Sequence, residues 1–173
     1  MSDIRRFTTQ YEPVQDRVRL SIELKDEVQV LWLTRRLLSR LIPPLLERMD
    51  TMPSVLMAPK PQVQVAQRFS QQAAVSNLKR QKNVVPTPEI PQKRVATLVT
   101  SIKVRSGTNG VVLDFKGGQE LLRSLPFSEV GLRQWLSVLY HNYNSADWSE
   151  TFWPSWISRE TLLGHAKDDL VIN

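Results

Sequence analysis

The 173-residue sequence contains no cysteine and only two histidines. The missing cysteines exclude disulfide bonds, thiolate nucleophiles and cysteine-ligated zinc. His141 and His165 lie far apart in the chain, so their spacing does not fit a metal site. We therefore expect neither a metal nor another cofactor. The absence of cysteine also agrees with a reducing compartment.

Sequence motifs for catalysis are missing as well. There is no Gly-x-Ser-x-Gly nucleophile elbow, and Gly117-Gly118 lacks the other residues of a P-loop or a dinucleotide fingerprint. His141 follows Tyr140 in a strong helical pattern, which favours a structural or exposed role. The chain has 17 acidic residues, but no local pattern singles out a pair for acid–base chemistry. We predict that the protein is not an enzyme; the remaining enzymatic hypothesis is a deep pocket where acids converge on His141.

Long hydrophobic runs are also lacking. The apolar stretches fall far short of the roughly 18 residues that can span a bilayer. No apolar run follows Arg5-Arg6, so we expect no secretory signal. These features predict a cytoplasmic protein without a membrane partner.

The first fifty residues have the pattern of a β-hairpin followed by a helix. Apolar and polar residues alternate over 16–24 and again over 28–33, which is typical of half-buried strands. Residues 7–11 are a candidate for an earlier strand. Thr34 is a good N-cap for a helix with apolar residues at spacings of three and four. Pro43-Pro44 interrupts this helix, and we expect a kink or a restart there.

Residues 95–146 repeat this order. Alternating residues flank Asn109-Gly110, a strong hairpin signal because both turn positions favour φ > 0. Residues 120–125 are a candidate for a further short strand. Ser128 is a suitable N-cap for the helix with the clearest pattern in the chain, whose apolar residues are Leu132, Trp135, Leu136, Leu139, Tyr140 and Tyr143.

These elements predict an α+β fold. Two β-hairpin-plus-helix units form one antiparallel sheet of four to six strands, with the helices on one face. The shared order raises the hypothesis of an internally duplicated ββα unit, with coincidence as the alternative. We expect residues 1–50 and 95–173 to share one core. The predicted regions are 1–50, the first unit; 51–94, a basic, proline-punctuated linker with one polar helix; 95–146, the second unit; and 147–173, a tryptophan-rich tail.

The excess positive charge lies in the middle of the chain. Residues 51–105 contain nine Lys/Arg and a single acid, Glu89. Within them, 63–81 has a helical composition, with a thin apolar stripe among five glutamines that consists of Val65, Phe69, Ala73 and Leu78. Basic residues neutralise nucleic-acid phosphates, but Phe69 offers little base stacking, and we favour a solvated linker. The candidate nucleic-acid-binding residues are Lys79, Arg80, Lys82, Lys93 and Arg94.

The tail is rich in aromatic residues, which are Trp148, Phe152, Trp153 and Trp156. Aromatic residues dominate interface hot spots, so these side chains are candidates for partner binding. The alternative, which we favour, is that they fold back and cap the core beside Trp135.

Two functions remain. The first is a non-catalytic bacterial accessory or adaptor protein that binds a protein partner through the aromatic tail, a sheet edge or the flexible middle. The second is a nucleic-acid-binding protein that uses the basic segment 60–105. Self-association is a further expectation, because an exposed strand can pair with a copy of itself.

Overall fold

Seven strands and three long helices make up the described part of the chain. The structure is a computed structural model that describes residues 4–52, 55, 62–81 and 93–158, with the backbone alone for 79–81, 93 and 94. The strands are β1 (Arg6–Glu12), β2 (Arg17–Glu23), β3 (Glu27–Leu33), β4 (Lys93–Leu98), β5 (Ser101–Gly107), β6 (Gly110–Gly117) and β7 (Glu120–Ser128). The helices are α1 (Arg35–Met49), α2 (Val63–Gln81) and α3 (Glu129–Ser145), followed by one helical turn at 155–158. The predicted α+β class is confirmed.

The strands are divided between two sheets, where the sequence predicted one. The first has the order β1-β2-β3-β4, with β4 parallel to β3 and the other pairs antiparallel. The second is an antiparallel meander, β5-β6-β7. A long connection through α1 and the middle segment separates β3 from β4, which permits parallel pairing. Local alternation identifies strands but carries no information about this long-range pairing.

The chain passes directly from one sheet into the other between β4 and β5. The Val99 N–H donates to the Trp32 carbonyl at 3.0 Å, which extends the first sheet. The next N–H, that of Thr100, donates to the Lys116 carbonyl at 2.8 Å in the second sheet. One continuous run of backbone therefore ties the two sheets together.

One cluster of buried side chains contains residues from both units. It includes Leu20 and Ile22 of β2, Leu113 and Phe115 of β6, and the apolar faces of α1 and α3. Two helices also contact the sheet of the other unit. Helix α1 packs against β5 of the second sheet, and α3 packs against β1 of the first sheet as well as β6 and β7 of the second. In both sheets three consecutive antiparallel strands precede a helix, β1–β3 before α1 and β5–β7 before α3, but this shared order does not confirm a duplication.

The hairpin predicted at Asn109-Gly110 is present, but for a different reason. The turn is Thr108-Asn109, and among the described non-glycine residues only Asp16 and Asp147 have positive φ. Gly110 is the first residue of β6, where a Cβ would collide with the Phe127 carbonyl oxygen of β7. Glycine is required here for close strand approach.

Helix α1 continues through Pro43-Pro44 as one helix, without the predicted restart. The prolines remove the hydrogen bonds that the carbonyls of Ser39 and Arg40 would otherwise accept. Arg40 and Pro44 are exposed and Pro43 is half-buried, so solvent can satisfy these carbonyls. Thr34 caps this helix and Ser128 caps α3, as predicted.

A buried carboxylate joins all three strands of the second sheet. Asp114 of β6 accepts two hydrogen bonds from Arg105 of β5, at 2.5 and 2.8 Å, and one from the Ser124 hydroxyl of β7 at 2.6 Å. The Arg105 guanidinium lowers the pKa of Asp114 to about 2, although burial opposes this change.

We predict a stability step at acid pH that belongs to Asp114. Because its pKa is lowered in the folded state, its stabilisation is complete above the ordinary carboxyl pKa of 3.8 and is lost as the pH falls to about 2. We expect a loss of about 1–2 kcal/mol in unfolding free energy, allowing for solvent around Arg105. Urea unfolding between pH 2 and 5 measures it, and Asp114→Asn should abolish the step. The exposed Asp26→Asn is the control; an unchanged pH profile for Asp114→Asn would contradict the assignment.

Candidate functional site

The aromatic tail packs against α3. Trp148 and Trp156 are buried, and Phe152 and Trp153 are half-buried. The Tyr143 ring makes edge-to-face contacts with Trp148, Phe152 and Trp153, at centroid distances of 5.2, 6.0 and 5.3 Å. The predicted partner-binding residues therefore lie together, but two of them are core residues and only Phe152 and Trp153 among them retain partial exposure.

Polar contacts fix the start of the tail to the β1–β2 turn. Trp148 Nε1 and the Tyr11 hydroxyl both donate to one carboxylate oxygen of Asp16, at 3.2 and 2.8 Å. The hydrogen bond to Asp16 raises the pKa of Tyr11. Asp16 itself has a positive φ of 46°, which aspartate tolerates better than most residues.

Glu150 ties the tail to α1. Its carboxylate accepts from the Ser39 hydroxyl at 2.9 Å and forms an ion pair with Arg35 at 3.2 Å. Ser39 also lies 3.0 Å from the Tyr143 hydroxyl. Burial raises the pKa of Tyr143 to about 12, so this phenol stays neutral and is no general base near neutral pH.

An open groove of about 250 Å³ lies between the end of α1 and the tail. Its apolar lining comes from Leu46, Phe152, Trp156 and two prolines, and its polar lining from Glu47 and Asp50. The described lining includes no histidine, lysine or arginine, so its ionisable groups are the carboxylates of Glu47 and Asp50. His141 lies elsewhere, half-buried on α3.

A buried arginine joins α2, α3 and the tail. Arg133 of α3 is 1% exposed. It pairs with Glu129 at 3.2 Å, donates to Gln67 of α2 at 2.8 Å, and lies 5.5 Å from the ring centroid of Trp156. Burial lowers the pKa of Arg133 and Glu129 opposes this change; arginine nevertheless stays charged in proteins. Its Nη1 atom is buried without a hydrogen-bond partner.

Helix α2 attaches to the protein through buried glutamines. Gln67 donates to Asp50 at 2.8 Å, and Gln71 donates to the Arg133 carbonyl at 3.0 Å. From the other side, Gln134 of α3 donates to the Ala74 carbonyl at 3.0 Å. Among the residues of α2 with described side chains, Ala74 is the only buried apolar one. The attachment therefore combines these hydrogen bonds with Ala74 and with half-buried apolar side chains, which are Val63, Ala66, Val75 and Leu78.

Three of the four residues of the predicted apolar stripe of α2 face solvent instead, and the fourth, Leu78, is half-buried. Val65 is 50% exposed, Phe69 is 68% exposed, and Ala73 is exposed as well. We call these three residues the α2 ridge. The stripe can be recognised in the sequence, but its apolar character gives no reason to expect it at the surface. The buried glutamines were the missed signal, because they satisfy Arg133 and Asp50.

The candidate nucleic-acid-binding residues are not brought together by any described contact. Lys79 and Arg80 belong to the last turn of α2, and Lys93 and Arg94 belong to β4, but only their backbones are described. Lys82 lies outside the described residues. The nucleic-acid hypothesis therefore stays a prediction.

Metal ligands, membrane-spanning helices and similarity to known proteins identify no function for this chain. Within the described ranges, no group of three His, Cys, Asp or Glu residues is placed to hold a metal ion, and no helix there is long and apolar enough to cross a membrane. No family model, curated protein or solved structure matches this chain. Functional proposals consequently rest on the surfaces described above.

We predict that Arg133→Met destabilises the protein by about 3 kcal/mol, because it removes a buried guanidinium that pairs with Glu129 and donates to Gln67. Urea unfolding at neutral pH measures this loss. The matched control is Arg36→Met, an exposed arginine of α1, for which we expect less than about 0.5 kcal/mol. Equal effects of the two substitutions would contradict a central role for Arg133.

Proposed function

We propose that this chain is a non-catalytic accessory or adaptor protein that binds a protein partner through the α2 ridge. The single observation that carries the proposal is the exposure of Val65 and Phe69 on a helix whose buried side chains are Gln67, Gln71 and Ala74. A surface helix normally turns its apolar stripe toward the core. Here the hydrogen bonds of Gln67 and Gln71 and the burial of Ala74 place the other face of α2 inward, so Val65 and Phe69 are exposed to another molecule.

The other two routes to a partner have weaker support. In the aromatic tail, the burial of Trp148 and Trp156 leaves only part of Phe152 and Trp153 accessible. The strand β7 lies at a sheet edge and carries the exposed Leu121, but Pro126 removes one backbone donor from that edge. An exposed ring on a fixed helix is a better anchor for an interface.

The non-catalytic part of the proposal is supported by the sequence, which has no cysteine nucleophile, no Gly-x-Ser-x-Gly motif and no P-loop. A cytoplasmic location in a bacterial cell completes the proposal; the absence of cysteine supports a reducing compartment.

We expect Phe69→Asp to abolish capture of the partner. The tagged full-length protein is incubated with a nuclease-treated lysate of the source organism, and retained proteins are quantified by mass spectrometry. Retention should fall at least about tenfold, because a charge replaces the central apolar contact. Phe69 is 68% exposed, so circular dichroism should show an unchanged fold.

The matched control is Val14→Asp, which makes a comparable change at a residue 90% exposed in the β1–β2 turn. It should retain the partner like the unmodified protein. Capture that is equal in both variants would contradict the proposal. Capture that occurs only in a lysate without nuclease treatment would favour nucleic-acid binding instead.

A further inference from the structure

The α2 ridge has the geometry of a helix–helix contact. Val65, Phe69 and Ala73 follow each other at intervals of four residues, about 6 Å apart along the axis. Such a row forms one of the i±4n ridges that fit between the corresponding ridges of a second helix, at a crossing angle of about −50°. The large ring of Phe69 lies at the middle of the row, where two crossing helices come closest.

The positive charge of α2 indicates which class of partner can bind to its surface. The helix contains Arg68, Lys79 and Arg80 and no acidic residue. Arg68 is exposed next to Phe69. Asp50, an acidic residue among those that the structure describes, accepts a hydrogen bond from Gln67 on the opposite side of α2 and lies away from the ridge.

This charge disfavours two other occupants of the α2 ridge. A second copy of the chain would bring another basic helix against the first, and like charges across an interface cost binding free energy. An anionic membrane surface would match the charge, but adsorption depends on the apolar area that enters the lipid. A ridge one residue wide, with one aromatic ring, offers little such area.

We propose that the α2 ridge is the docking surface for an acidic amphipathic helix of another protein, with Phe69 at the crossing point and Arg68 facing the partner's carboxylates. This inference rests on the proposed function and names the chemistry of its partner. The contact is small and has one aromatic anchor, so it belongs with transient interfaces that bury less than about 1,200 Å².

Photo-crosslinking from position 69 tests the partner's class. The full-length chain carries p-benzoylphenylalanine in place of Phe69, or in place of Val14 as a control, and is irradiated in the lysate. Mass spectrometry then maps the crosslinked segment. We expect a Phe69-specific crosslink to a segment with net negative charge and apolar residues at helical spacing.

Charge reversal provides a second readout on the same partner. Arg68→Glu should reduce its retention at least about tenfold at low salt, and raising the salt should reduce retention by the unmodified protein. The matched control is Arg36→Glu, an exposed arginine of α1, which should behave like the unmodified protein.

The outcomes separate this inference from the proposed function. Phe69-dependent capture with a crosslink to a basic or extended segment would overturn the acidic helix while leaving an adaptor function intact. A crosslink to a second copy of the chain or to lipid would also overturn it. Capture that does not depend on Phe69 would overturn both.

Discussion

The buried charge of Arg133 constrains the whole side of the protein on which α2 lies. A guanidinium that is 1% exposed needs hydrogen-bond acceptors within the protein, because water cannot reach it. Glu129 supplies one from the preceding turn of α3 and Gln67 supplies another from α2, while Nη1 has no hydrogen-bond partner. Placing Gln67 there turns the glutamine face of α2 inward. Val65 and Phe69 must then face outward, so the exposed ridge is a consequence of satisfying one charge.

The same arginine connects this side to the tail. Trp156 lies against the Arg133 guanidinium, and Trp148 is fixed at the other end of the tail by Asp16. Between them, Glu150 pairs with Arg35 at the start of α1. The tail therefore contacts both helices that cover the sheets. Its tryptophans stabilise the fold through edge-to-face contacts, whereas Val65 and Phe69 of α2 remain exposed.

The two sheets depend on a different constraint, the run of backbone through Val99 and Thr100. Their N–H groups donate to different sheets. Moving one sheet relative to the other would therefore break one of these two main-chain hydrogen bonds. The reciprocal packing of α1 on β5 and of α3 on β1 reinforces this connection. This arrangement gives α3 a fixed position, and α2 takes its own position from α3.

The sequence by itself determined the local elements. Alternation located β2, β3, β5 and β6, the caps Thr34 and Ser128 set the starts of α1 and α3, and composition located α2. These features depend on neighbours within a few residues, which is why they can be read from the sequence.

Only the tertiary structure decided which faces those elements bury. The parallel pairing of β4 with β3 joins residues more than sixty positions apart, and close approach to Phe127 explains Gly110 better than the turn motif does. The outward ridge of α2 was decided in the same way. Hydrophobicity alone would bury Phe69 and expose Gln67. The guanidinium of Arg133, which is distant in sequence but packed against α2, reverses that preference, because an unpaired buried guanidinium costs more free energy than an exposed ring.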